Sequence, residues 1–209
     1  MPRETVVLIH GLWMNGLDMS LLRRRLESAG YATRRFAYPS VKQNPLDNAH
    51  LLQAMTARIT TPRVHFVAHS LGGLVVRHLF QLYPRQPAGQ VVTLGTPHQP
   101  SIAARKLQKC RFGRVLLGES LQLGLLGPVP PWRDKRPLGV IAGTLRFGMG
   151  MIIPGIPRPN DGTVAVAETC IEGMQDHITL PVSHFGMLLS RRVAEQTLCF
   201  LQHGKFCRE

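Results

Sequence analysis

The chain has 209 residues, enough for one ordinary domain that buries its own core without metal or disulfide staples. Hydrophobic residues make up 44% and charged residues 18%, which argues against disorder, and no apolar run reaches the roughly 18 residues of a membrane span. The formal net charge is +13, and 20 of the 25 basic residues are arginine, so the surface attracts anions, anionic lipid head groups among them. No nucleic-acid-binding motif accompanies the charge and aromatics are few, so nucleic acid is not an expected partner.

The N-terminus runs within a few residues into an apolar segment, with no charged region, apolar core and cleavage site in succession. A cytoplasmic protein is therefore expected, with the four cysteines, Cys110, Cys170, Cys199 and Cys207, as free thiols. None lies at metal-ligand spacing, and a Cys199–Cys207 disulfide would require export. No metal is expected.

Val6–Ile9 reads as a strand buried on both faces, ended by His10-Gly11. Asp18 is expected to cap a helix that stops at Gly30. A short strand over 31–38 and a helix over 47–60, ended by Pro62, follow. Val64–Ala68 is a second buried strand, a helix spans 71–83, and Gln90–Leu94 is a strand ended by Gly95-Thr96-Pro97. A strand over 138–142, a Gly- and Pro-rich loop over 146–162, a helix over 163–172, a strand over 177–180 and a helix over 185–202 complete the pattern. Strands alternating with helices imply a single α/β domain with a mostly parallel sheet of about six strands and helices on both faces.

The rhythm breaks between His98 and Arg136, a lid-like insertion in an otherwise short-looped chain. Its first part is basic and its second apolar. Either the apolar stretch 116–132 forms a flap that docks on an anionic membrane surface, or it covers the site and packs on the core.

The chemistry concentrates at Val64-His65-Phe66-Val67-Ala68-His69-Ser70-Leu71-Gly72-Gly73. A strand leads into a serine and a helix begins at once, with small residues two positions either side, as a tight turn exposing a nucleophile requires. The duller reading is a serine helix cap. A serine hydroxyl needs a histidine base oriented by a carboxylate. His184, just past the last strand, is the best placed of nine histidines, with His98 as its rival. Asp161, in Asn160-Asp161-Gly162, is the preferred acid over Asp134 and Asp176, and it can also act as a turn or cap residue. The N–H groups of Leu71 and Leu12 are the candidate oxyanion donors, and Trp13 and Met14 the candidate acyl-pocket residues.

Together, His10-Gly11, the Ser70 elbow, Gly95-Thr96-Pro97-His98, Asn160-Asp161 and His184-Phe185-Gly186-Met187-Leu188-Leu189-Ser190 resemble the small bacterial lipases of the α/β-hydrolase superfamily. The resemblance covers nearly the whole chain outside 98–136. It implies an α/β-hydrolase fold, Ser70 as nucleophile with Asp161 and His184, oxyanion donors at Leu12 and Leu71, and no cofactor. The expected activity is carboxylic-ester hydrolysis. Thioester hydrolysis or acyl transfer on the same residues is the alternative, and a non-catalytic membrane-surface module is the other.

Overall fold

The computed structural model describes residues 4–148 and 155–208. The continuous apolar runs become strands whose every residue is buried: β1 (Thr5–Ile9), β3 (Val64–His69) and β5 (Leu138–Gly143). With β2 (Ala32–Phe36), β4 (Val91–Leu94) and β6 (Asp176–Leu180) they form an all-parallel six-stranded sheet in the order β2-β1-β3-β4-β5-β6. Alternate side chains feed two cores. Val7, Ile9 and Phe66 meet α2 (Pro45–Thr56) and α3 (Leu71–Leu82), while Val6, Leu8 and Val67 meet α1 (Ser20–Ser28) and α7 (Arg191–His203). Each fully buried Leu, Ile or Phe in these layers contributes about 1.5–3 kcal/mol.

The chain runs outward from β1 to β2, then returns to β3 on the other side of β1. The crevice between the carboxyl ends of β1 and β3 is thus the switch point of the sheet, where parallel α/β folds place their ligands.

Several elements differ from the sequence reading, each for a local reason. Asp18 does not cap α1; it lies in a 3-10 turn, Leu17–Met19, and accepts from the Asn15 amide. Asn44 caps α2, accepting from the Asp47 amide, and Pro45 fits the first helical position, where no N–H is needed. The helix expected over 163–172 shrinks to the 3-10 turn Val166–Thr169, bounded by extended backbone at Ala165 (ψ 147°) and at Cys170 (ψ 138°). Asp161 Oδ1 takes the Thr163 and Val164 N–H groups, and Glu168 Oε2 takes that of Ala165. The helix expected over 185–202 is two, α6 (Gly186–Leu189) and α7, broken at an extended Ser190 whose hydroxyl caps α7. Residues 149–154 of the expected loop lie outside the described residues.

The insertion folds into α4 (Ile102–Leu107) and α5 (Arg111–Leu117), and its apolar second half packs inward. Leu117, Leu125 and Trp132 are buried. The buried Arg77 of α3 donates to the Val129, Pro130 and His98 carbonyls, and His78 donates to that of Leu123. These bonds fasten the stretch 116–132 to the core.

The expectation of four free thiols is corrected at the C-terminus. Cys199 and Cys207 form a disulfide, while Cys110 and Cys170 are free. Gly204, at φ 70°, ends α7 and turns the chain back along it. The Gln196 side chain then holds the Cys207 N–H and carbonyl, and Phe206 packs tilted against Phe200, which brings the cysteine Cα atoms to 6.0 Å. Closing so short a loop, eight residues apart, is expected to stabilise the fold by about 2–3 kcal/mol. Denaturant midpoints for the oxidised protein and for Cys207→Ser should differ accordingly.

Candidate active site

Ser70 lies between β3 and α3 with φ 52° and ψ −123°, a conformation that costs a non-glycine residue about 1–3 kcal/mol. The turn is held rather than relaxed: the Ser70 N–H donates to the Leu94 carbonyl, and Thr96 Oγ1 donates to the Ser70 carbonyl. At Gly72 a Cβ would stand 2.7 Å from the His10 carbonyl oxygen and 2.8 Å from that of Ile9, so only glycine lets α3 start this close to β1. Ser70 makes no side-chain cap to α3, which disposes of the helix-cap reading. Its Oγ instead lies 3.0 Å from His184 Nε2.

His184 follows β6, and its Nδ1 lies 2.6 Å from Asp161 Oδ2. A carboxylate only accepts, so Nδ1 carries the proton and Nε2 presents its lone pair to the Ser70 hydroxyl. Asp161 reaches this position from the loop after β5 and serves two purposes. Oδ1 closes its own turn, Oδ2 faces the imidazole, and its backbone carbonyl accepts from the His184 N–H at 2.8 Å. Gly95, at φ 57°, passes so close that a Cβ would lie 3.0 Å from Asp161 Oδ2 and 3.1 Å from His184 Nδ1. The structure therefore brings Ser70, His184 and Asp161 into one hydrogen-bonded chain. It leaves the rival His98 outside that chain, buried and bonded through Nε2 to Thr93.

Leu71 is the first residue of α3, so its N–H precedes every intrahelical acceptor. The loop after β1 runs beside it: a Cβ on Gly11 would lie 3.0 Å from Ser70 Cβ. His10 fixes that loop. Its Nδ1 donates to the Gly11 carbonyl and its Nε2 accepts from the Tyr38 N–H, while the Tyr38 hydroxyl donates to the His10 carbonyl and the two rings stack at 4.3 Å. Leu12, Trp13 and Met14 line an apolar cavity of about 260 Å³ that contains Ser70 and His184 and is walled on the insertion side by Ala103, Ala104, Leu107 and Leu117.

Two residues of the site escaped the sequence reading. His69 is wholly buried, and its Nε2 donates to the His184 carbonyl at 3.0 Å, tying the elbow to the base loop. Glu168 is also buried; its second oxygen, Oε1, accepts from the Ile102 N–H, joining α4 to the Asp161 loop. The only sequence signal for His69 was its place next to the serine. Glu168 gave none, since the bond spans 66 residues. Among the described residues no group of three or more His, Cys, Asp or Glu side chains could hold a metal ion, and no helix is long and apolar enough to cross a membrane.

Burial keeps the histidines of the interior uncharged. It lowers the pKa of His10, His65, His69, His78 and His177 below 6.5, and that of His98 to about 3. In the unfolded chain these groups take up protons as pH falls through 6.5, and in the folded chain they do so only at lower pH. The stability they contribute is therefore complete above pH 6.5 and is lost on acidification. For fully buried His69 and His98 the loss is about 1.4 kcal/mol each per pH unit. Melting temperatures measured from roughly pH 7.5 down to 5 are expected to fall steadily, with the descent beginning near 6.5.

Among curated proteins none matches the chain. Among solved structures, the mature lipase BlEst2 of Bacillus licheniformis superposes with a TM-score of 0.78 at 20% identity, covering 97% of this chain and 92% of that one. The propeptide form of the same lipase is covered over 51% of its length. A metagenomic carboxyl esterase superposes with a TM-score of 0.67 at 18% identity, over 88% of this chain and 65% of the other. A pyrethroid hydrolase of Sphingobium faniae gives 0.67 at 15% identity, over 96% and 98%. These likenesses concern the fold. The sequence model of the alpha/beta hydrolase family matches residues 6–195, nearly the whole chain, and the chain belongs to that family.

Proposed function

We propose that the chain is a serine carboxylic-ester hydrolase working through an acyl-enzyme. The observation that carries this is the hydrogen-bonded run Ser70–His184–Asp161, opening into an apolar cavity. Ser70 Oγ attacks the ester carbonyl while His184 Nε2 takes its proton, and the carbonyl oxygen becomes an oxyanion between the N–H groups of Leu12 and Leu71. His184 then protonates the departing alcohol. Water, deprotonated by His184, attacks the acyl-Ser70 ester and releases the acid. Asp161 holds the imidazole in the Nδ1–H tautomer and offsets its charge when Nε2 is protonated. No step calls for a cofactor.

The cavity, at about 260 Å³, lies just below the roughly 300 Å³ at which sites begin to enclose drug-sized ligands, which suits a single acyl chain with the alcohol directed outward. The small Ala104 of α4 leaves room in it. Ala104→Leu is expected to spare acetate and butyrate esters and to lower kcat/KM on longer acyl esters by about tenfold. The decisive experiment is a fluorophosphonate label followed by peptide mapping, with p-nitrophenyl oxyesters and matched thioesters as substrates. Labelling at Ser70 and faster oxyester turnover support the reading. Faster thioester turnover would favour a thioesterase, and an unlabelled Ser70 would favour a binding module. The Cys199–Cys207 disulfide supports an oxidising compartment in place of the cytoplasm expected from the N-terminus.

A further inference from the structure

Helix α5 is apolar on two sides. Gly113 and Leu117 turn inward, Gly113 so tightly that a Cβ would meet the Leu107 carbonyl. On the other side Phe112 and Val115, one turn apart, are 71% and 70% exposed. A short surface helix in water ordinarily presents polar residues there. Four of the neighbouring exposed side chains are cationic: Arg105, Lys109, Arg111 and Arg114. Between residues 98 and 125 the sequence holds five basic residues and a single acid, Glu119.

This face adjoins the mouth of the cavity. Leu107 and Leu117, at the ends of α4 and α5, line the cavity itself. The Trp13 indole N–H donates to the Leu116 carbonyl at 2.7 Å, joining the rim to α5, and the exposed Trp13, Phe147 and Phe185 line the same opening. Exposed aromatics around a mouth, edged by arginine and lysine, have the composition of a surface that lies in the head-group layer of a membrane. The stretch 116–132, anchored by buried Leu117, Leu125 and Trp132 and held by Arg77 and His78, cannot fill that role without unpacking.

We infer that the outer face of α5, with the aromatic rim of the cavity, is a docking surface for an anionic lipid bilayer. Phe112 and Val115 would enter the interface while Arg111 and Arg114 meet anionic head groups. Docking in this orientation turns the cavity mouth toward the lipid. The inference concerns adsorption and stands independently of the chemistry assigned to Ser70.

The test is co-sedimentation of the full chain with vesicles of phosphatidylcholine alone, or with phosphatidylglycerol at about one part in three. The proteins are the wild type, Ser70→Ala, Phe112→Ser/Val115→Ser and Arg111→Gln/Arg114→Gln. All four changed surface residues are exposed, so folding is not at stake, and turnover of a soluble short ester should stay at the wild-type rate in both surface doubles. Wild type and Ser70→Ala should bind the anionic vesicles alike, about tenfold or more tightly than neutral ones, and each double should lose about tenfold. No binding by the wild type, equal binding to both vesicle types, or doubles that bind like the wild type would each overturn the inference. Because Ser70→Ala is included, a failure of the esterase reading leaves the vesicle result interpretable.

Discussion

Ser70→Ala is expected to lower kcat on a p-nitrophenyl ester by about 10⁵-fold or more, a loss of about 7 kcal/mol of transition-state stabilisation. The magnitude follows from the geometry. Ser70 Oγ is the oxygen bonded to His184 Nε2, so removing it takes away the atom proposed to attack and leaves the proposed base without a proton to accept. KM should change little, because the walls of the cavity are untouched. Stability should also change little, since alanine keeps the same strained backbone and the partly exposed His184 can bond water instead. Ser70→Gly is the informative companion. It should be equally inactive, yet more stable than the wild type, because glycine accepts φ 52° without the penalty. Catalysis that survives both substitutions would remove Ser70 from the mechanism.

What the sequence made legible was whatever is local along the chain. The buried strands β1, β3 and β5 announce themselves by unbroken apolar runs, and the strand–serine–helix junction by residues within a few positions of each other. Asp161 and His184 are legible as candidates from their places after strands, from the order serine, acid, histidine along the chain and from the family resemblance, and the structure places the two side chains 2.6 Å apart. Features made by distant pairs were hidden. The bond from His69 to His184 crosses 115 residues, and that from Trp13 to Leu116 crosses 103. The expected 163–172 helix illustrates the same limit. Its composition favours a helix, but the backbone is extended at Ala165 and again at Cys170, and Glu168 is committed to the Ala165 amide and to that of distant Ile102. The cysteines were judged by compartment, whereas the pairing of Cys199 with Cys207 depends on the reversal at Gly204 and the grip of Gln196.

Asp161→Asn separates the two tasks that one carboxylate performs. Oδ1 accepts from the Thr163 and Val164 amides at 2.8 and 2.7 Å, and an amide oxygen can replace it there. Oδ2 faces His184 Nδ1, and in the variant an NH2 group, a donor, takes its place. Two donors cannot share that 2.6 Å contact, so the imidazole must shift its proton to Nε2 and present N–H to the Ser70 hydroxyl. A base in the wrong tautomer cannot accept the serine proton, and kcat should fall by about 10⁴-fold with the fold intact. Asp161→Ala should be as inactive but also less stable, by about 1–3 kcal/mol, because the buried Val164 amide loses its acceptor. The pair of variants, assayed for kcat and for melting temperature, thus distinguishes orientation of the base from closure of the loop. Equal melting temperatures would show that the loop stands without Asp161. Activity of Asp161→Asn within tenfold of the wild type would show that another group orients His184.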